Sequence, residues 1–396
     1  MKEYDLILVV GYFRTAASFL SVARALGRSL RLAVVPADAD PAMKSKTGEA
    51  HETFIDLCRG WGADILAPGE PARCALMVVQ QFPYGNELAA TLRRSIDARR
   101  QVALMTLAMA GLDKHDAFLA QFDIRKAYVP SRRFMQFLLE RRGAQARWRG
   151  VEVEEVGLPF ARHRVFPDFG ADWLIAAPTL FSFHSEAGKQ QFLQTVLQLL
   201  EQLPPQDVVV YKSHNGNSLD YFAPRVHHRL AGLVGRIPGG GHLLQGLRKL
   251  PSAWLRRQAD RVRTCLLHRA VLRRAVPMAD LTPHAGMSLE AFLPGVRKGV
   301  IGGLSNTIWG AAYFDLPYYN CVDPSLRQGA SELLNKRSDA LLDLNLQYFG
   351  VPFCDGDLRM DTRQLQIVRP DERRGDLVAA LLGDLELARE AATAQA

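Results

Sequence analysis

Four stretches of the chain place ionisable or anion-binding side chains where a β-rich run gives way to a loop. Lys212 and His214 stand two apart in Tyr211-Lys212-Ser213-His214-Asn215-Gly216, directly after the run Asp207–Tyr211. Strand side chains alternate with period two, so both can face one pocket. There lysine offers a phosphate a point charge, and imidazole offers a donor to phosphate or to a sugar carboxylate. The plainer alternative is a surface lysine and a histidine in a turn. The second stretch runs from Val300 through Gly302-Gly303 into Ser305-Asn306-Thr307 and an apolar helix. Ser305 or Asn306 can cap that helix, and with Thr307 they leave first-turn amides to receive a phosphate oxygen; an ordinary N-cap uses the same residues.

The third is Gly11, at the turn after the first apolar run. Glycine permits close backbone approach there, whether to an anion or only to a tight turn. No GxGxxG pattern follows, which argues against a dinucleotide enzyme. The fourth is Asp113-Lys114-His115-Asp116. Asp113 or His115 can deprotonate an acceptor hydroxyl, or the group is a solvated helix start. Glu49, beside His51 and two lysines, is the rival base. His284, in Thr282-Pro283-His284, is a further candidate for a nucleotide pocket, against a structural role. Two Asp-x-Asp triplets, Asp38-Ala39-Asp40 and Asp355-Gly356-Asp357, have carboxylates that suit a hard cation. Both stand beside Pro or Gly and read as turns, so no metal or other cofactor is expected.

These loops need a scaffold that brings strand ends to one edge. The first third supplies it: strand candidates Asp5–Val10, Arg31–Pro36, Ala63–Leu66, Ala75–Gln81, Gln101–Leu107 and Lys126–Pro130 alternate with amphipathic segments such as Ser18–Leu26 and Glu87–Arg99. Several strands are apolar on both faces, as in a parallel sheet covered by helices on each side. The pattern restarts with Trp173–Pro178, a long helix over Ala187–Leu203 stopped by Pro204-Pro205, and Asp207–Tyr211. It continues through Lys298–Gly302, Asn306–Phe314 and Pro317–Cys321 to a polar helix over Pro370–Ala392. The expected fold is α/β, two Rossmann-like doubly wound domains facing a cleft: 1–165 on the acceptor side, 166–365 on the donor side, and a terminal helix within 366–396. At 396 residues the chain is too long for one ordinary core.

With 48% hydrophobic and 23% charged residues, the composition is that of a globular protein. No apolar run approaches the roughly 20 residues needed to span a bilayer, and the N-terminal run reads as a strand rather than a signal peptide. Five scattered cysteines without a CxxC pair fit a reducing cytoplasm and buried thiols. The net charge of +8 is a local matter. Residues 239–276 hold nine Arg/Lys, from Arg248 to Arg274, against the single acid Asp260; the rest of the chain is neutral. Leu255, Ala259, Val262 and Leu266 make an apolar helical stripe within this basic insert. Three readings stay open: a helix on an anionic membrane surface through 248–274, each cation adding about 1 kcal/mol; a packed helix with solvated arginines; or a nucleic-acid contact. Sparse aromatics and the lack of a nucleic-acid fold signature weigh against the last.

The second half resembles bacterial surface-polysaccharide glycosyltransferases of the GT-B type. The pieces that carry this are Ile175-Ala176-Ala177-Pro178-Thr179, Val209-Val210-Tyr211-Lys212-Ser213-His214, and Gly303–Pro317. CDP-glycerol glycerophosphotransferases, capsular Kdo transferases and polysialyltransferases share a Lys-x-His-Pro element and a later Ser-Ser or Ser-Thr helix start, both contacting the donor nucleotide. Here Asn215 replaces the proline and Asn306 one of the hydroxyl residues. Ala110-Gly111 stands where glycerophosphotransferases carry a catalytic His-Gly, which argues against glycerol phosphate transfer. The resemblance implies metal-independent transfer of a sugar from a nucleotide-activated donor, CMP-sugars favoured and UDP-sugars open. Its acceptor would be a growing cell-surface polysaccharide or lipid-linked glycan, with the enzyme in the cytoplasm or peripheral at the inner face of the membrane. A UDP-sugar 2-epimerase-like enzyme and a polyol-phosphate transferase are the alternatives.

Overall fold

The computed structural model describes residues 1–10, 17–36, 53–80, 86–105, 119–129, 150–157, 165–166, 168–177, 186–212, 267, 269–303, 307–321 and 376–393. The chain divides into two compact units. The first comprises Met1–Pro167, Gly286–Pro294 and Val368–Ala396; the second comprises Asp168–Ala285 and Gly295–Ile367.

Among the described residues seven strands form the sheet of the first unit: β1 (Lys2–Val10), β2 (Leu32–Pro36), β3 (Asp64–Ile65), β4 (Ala72–Gln80), β5 (Ile96–Leu104), β6 (Lys126–Val129) and β7 (Glu152–Glu155). They lie in the order β3-β2-β1-β4-β5-β6-β7, and every pair is parallel. β1 lies inside the sheet between β2 and β4, and Leu6–Val10 are buried on both faces, which explains their unbroken apolar run. The end of the amphipathic stretch Glu87–Arg99, from Ile96 onward, lies instead in β5. Helix Asn86–Ser95 ends sooner, and the first half of β5 projects to partly exposed positions where arginines are tolerated. β7, Glu-Val-Glu-Glu, carries no apolar alternation. It is held at the sheet edge by Lys126, whose Nζ lies 2.5 Å from Glu154 and 3.6 Å from Glu152.

The terminal helix, Leu377–Thr393, packs on this first unit, against β4 and helix Ala17–Leu26. Leu377, Leu381, Leu385 and Ala388 are buried at helical spacing, and Asp384 is buried with them. Segment Gly286–Pro294 also belongs here: Phe292 stacks on Phe166 with ring centroids 4.7 Å apart. Cys58, Cys74 and Cys321 are buried thiols outside any disulfide, and burial pushes the Cys58 thiol up to about 12, which leaves it protonated and inert.

Among the described residues the second unit has five strands: β8 (Ala171–Ala176), β9 (Val209–Lys212), β10 (Val276–Pro277), β11 (Val296–Gly302) and β12 (Tyr318–Asn320). Their order is β10-β9-β8-β11-β12, again wholly parallel. One face carries Trp173, Ile175, Val209, Tyr211, Ile301 and Tyr319. Phe192, Leu193, Val196 and Leu199 of helix Glu186–Gln202 cover it. Pro277 is tolerated because β10 is an edge strand, where a missing N–H breaks no ladder. The protein is thus α/β with two doubly wound parallel sheets, each in the order expected of a Rossmann-like unit.

At the amino ends of this second sheet Asp207 is a structural hub. Its Oδ2 accepts from Trp173 Nε1 at 2.8 Å, and its Oδ1 lies 2.5 Å from Lys298 Nζ. Arg274 donates to the carbonyls of Asp207 and Pro204, at 2.8 and 2.6 Å, so one cation of the basic segment is committed to packing. Val271 and Ala275 join the same core; the stripe Leu255–Leu266 and the rest of 213–266 lie outside the described residues. The Lys298 ammonium and the Trp173 indole N–H hold the Asp207 carboxyl below its usual 3.8, against the opposing effect of burial. A lowered folded value means that the ionised form stabilises the fold at neutral pH and that this is lost on acidification. Urea midpoints of wild type and Asp207→Asn should therefore differ most at about pH 7 and converge towards about pH 3. A gap that is constant or widens on acidification would contradict this.

Candidate functional site

In doubly wound sheets, ligands bind beyond the carboxyl ends of the strands where the strand order reverses. In the second unit the chain lays down β8, β9 and β10 to one side, then returns to place β11 and β12 on the other. The reversal falls between β8 and β11. Register there is well defined: Lys212 pairs with Ala176, Ala176 with Gly302, and Gly302 with Asn320. Four strands thus end in one transverse row, Lys212–Ala176–Gly302–Asn320, in which two polar residues flank two of the smallest. Side chains in register on parallel strands point to the same face, here the one opposite helix Glu186–Gln202.

Lys212 is 3% exposed and Asn320 is fully buried, so this row forms a polar layer beneath the strand ends. Lysine and asparagine are seldom buried without partners, so burying them here commits the protein to satisfying them. Gly302 is where side-chain bulk is excluded. A Cβ at that position would lie 2.6 Å from the Tyr318 hydroxyl and 3.0 Å from the Ala176 carbonyl. The Tyr318 hydroxyl donates to the carbonyl of Gly303, one residue past the end of β11. Thr307 then opens helix Thr307–Tyr313 and is buried.

His284 follows β10 and the short helix Met278–Leu281, its backbone N–H donating to Thr282 Oγ1 at 3.1 Å. Burial lowers its imidazole below the usual 6.5, so it is neutral at physiological pH and carries one N–H donor and one acceptor. Lys212, His284 and Thr307 all belong to the second unit. Gly11 follows the last residue of β1 and lies outside the described residues, as do Glu49, Asp113, His115, His214, Ser305 and Asn306. Both Asp-x-Asp triplets lie outside them too. Among the described residues no three His, Cys, Asp or Glu side chains gather as a metal site.

No protein-family model matches the chain, and no curated protein matches it in sequence. Among solved structures it is similar to accessory secretory protein 1, 2 and 3 of Streptococcus pneumoniae, with 8% identity and a TM-score of 0.35, over 80% of this chain and 54% of that one. The chain spans about half the length of that structure. It is also similar to HepE of Anabaena in complex with UDP, at 10% identity and a TM-score of 0.34, over 99% of this chain and 100% of that one. A third is an α,α-trehalose-phosphate synthase (UDP-forming) from Burkholderia vietnamiensis, at 12% identity and 0.32, over 99% and 97%. Likenesses this distant carry no functional weight, and the fold reading rests on the two sheets themselves.

Asn320 of the row, and Tyr318 two residues before it, escaped the sequence reading. Asn320 and Tyr318 sit inside Pro317–Cys321, which reads as an apolar strand. The available signal was the asparagine, a residue depleted in strand interiors, at a strand's carboxyl end. In the first unit the order reverses between β1 and β4, and Gln80, the last residue of β4, is a buried polar group there. Among the described residues no helix is long and apolar enough to cross a membrane.

Proposed function

We propose that the protein is a glycosyltransferase of the GT-B kind that takes a sugar from a nucleotide-activated donor bound by the second unit. The observation that supports this best is the reversal between β8 and β11, with Lys212 on one flank and the end of β11 at Gly302 on the other, shortly before Thr307 in sequence. Doubly wound units use such a place for nucleotide phosphates. Lys212 and His214 supply charge and a donor to the phosphates, His284 a neutral hydrogen-bonding ring, and Ser305, Asn306 and Thr307 the entry to the following helix.

The reaction forms a bond from an acceptor hydroxyl oxygen to the anomeric carbon and breaks that carbon's bond to the nucleotide phosphate. The hydroxyl proton passes to a base, for which Asp113, His115 and Glu49 of the first unit are the candidates. The nucleotide leaves with added negative charge, balanced by basic side chains rather than by a metal ion. CMP-sugars are the preferred donors and UDP-sugars the second choice. The acceptor is a cell-surface or lipid-linked glycan, reached at an anionic membrane surface through 248–274.

His214→Ala should abolish transfer to a glycan acceptor while leaving the melting temperature near that of wild type, as read by release of nucleotide from labelled donor. Near wild-type turnover would remove this site assignment. Incubation with donor alone separates transfer from epimerisation: interconversion of sugars without acceptor would mean a 2-epimerase.

A further inference from the structure

Beyond Gly302 the strand ladder of the second unit stops. The Cys321 N–H donates to the Gly302 carbonyl at 2.7 Å, and among the described residues that is the last main-chain bond tying β11 to β12 on this side. The next carbonyl, Gly303, is held by a side chain instead, the hydroxyl of Tyr318. Tyr318 is 1% exposed, so its ring cannot swing away and its hydroxyl cannot bond to bulk water. The same hydroxyl fills the space that Gly302 leaves open, 2.6 Å from where a Cβ would be. Glycine and tyrosine are therefore fitted to one another. The glycine admits the hydroxyl, and the hydroxyl dictates the direction in which the chain leaves β11, beside the strand-order reversal.

We infer that Tyr318 is a positioning residue for the donor nucleotide, fixing the backbone at Gly303 where β11 ends beside the reversal. This rests on the donor reading above. Tyrosine touches no ligand in this role; it acts through the Gly303 carbonyl. Removing the hydroxyl alone keeps the buried ring and frees that carbonyl, so the backbone at Gly303 samples several directions and a ligand must order it on binding.

The test uses the full chain, with CMP, CDP, UDP and GDP as calorimetric probes, well below the melting temperature. Tyr318→Phe should bind the preferred nucleotide about tenfold more weakly, with circular dichroism unchanged. Equal affinity in wild type and Tyr318→Phe overturns the inference and leaves the donor reading intact; binding of none of the probes by wild type overturns both. A double-mutant cycle supplies a reading independent of any ligand. Gly302→Ala should be less destabilising in the Tyr318→Phe background than in wild type, because the crowded hydroxyl is gone. Strict additivity would contradict the fitted pair and sink the inference. Should Tyr318→Phe fail to fold, Gly302→Ala crowds the same hydroxyl and must itself weaken nucleotide binding.

Discussion

Asp384→Ala is expected to lower the unfolding free energy by about 3–5 kcal/mol, the cost of removing one partner from a buried charge cluster. The carboxylate is 1% exposed and faces two cations, Arg100 Nη2 at 2.7 Å and Lys126 Nζ at 3.3 Å. It also accepts from the Tyr128 hydroxyl, itself fully buried. Burial alone would lower the Lys126 pKa. The hydrogen bond to Glu154 and the charge of Asp384 overcome that and raise it, so the lysine stays ionised. Alanine would leave that ammonium and the phenol facing an apolar helix. Undocking would also expose Leu377, Leu381 and Leu385, each contributing roughly 1.5–3 kcal/mol when buried. Chemical denaturation of the full chain measures the loss. A shift below about 1 kcal/mol would mean that the cluster is solvated and does not hold the terminal helix.

Gly299→Ala should cost about 1–3 kcal/mol, the range for overpacking. A Cβ there would stand 2.7 Å from Trp173 Cζ3 and 3.1 Å from the Pro317 carbonyl. The indole cannot retreat freely. Its Nε1 is bound to Asp207 at 2.8 Å, and its ring packs at a tilt on Tyr319, centroids 5.8 Å apart. Gly299 pairs with Trp173 in the β8–β11 ladder, the two strands between which the order reverses. Strain introduced there travels three residues to Gly302. The variant should therefore melt lower and bind nucleotide more weakly. Unchanged melting would show that Trp173 can repack at no cost.

The fold was legible wherever burial on both faces wrote a long apolar signal. Leu6–Val10 and Ala171–Ala176 are strands of this sort, and helix Glu186–Gln202 announces its end at Pro204. β7 was not legible, because an edge strand stabilised by Lys126 needs no apolar alternation of its own. Nor was the attachment of the terminal helix. Asp384 looks like one more surface acid until Arg100 and Lys126, more than 250 residues earlier, are brought beside it. At the candidate site, the residue types that announce anion chemistry, Lys212 and Thr307, could be picked from strand ends alone. That Lys212 is buried in a row with Asn320 follows from the register of four strands. The fit of Tyr318 to Gly302 depends on that register too: the glycine stands out in the sequence, but the tyrosine that fills its space does not.

The central claim is that the second unit binds the nucleotide of a sugar donor without a metal ion. Its most direct test is calorimetric titration of the full chain with CMP, CDP, UDP and GDP in the presence of EDTA. The account predicts saturable binding of one of them at a single site, CMP or UDP first, weakened in Tyr318→Phe and lost in His214→Ala. Absence of binding by all four nucleotides, or binding indifferent to both substitutions, would contradict it.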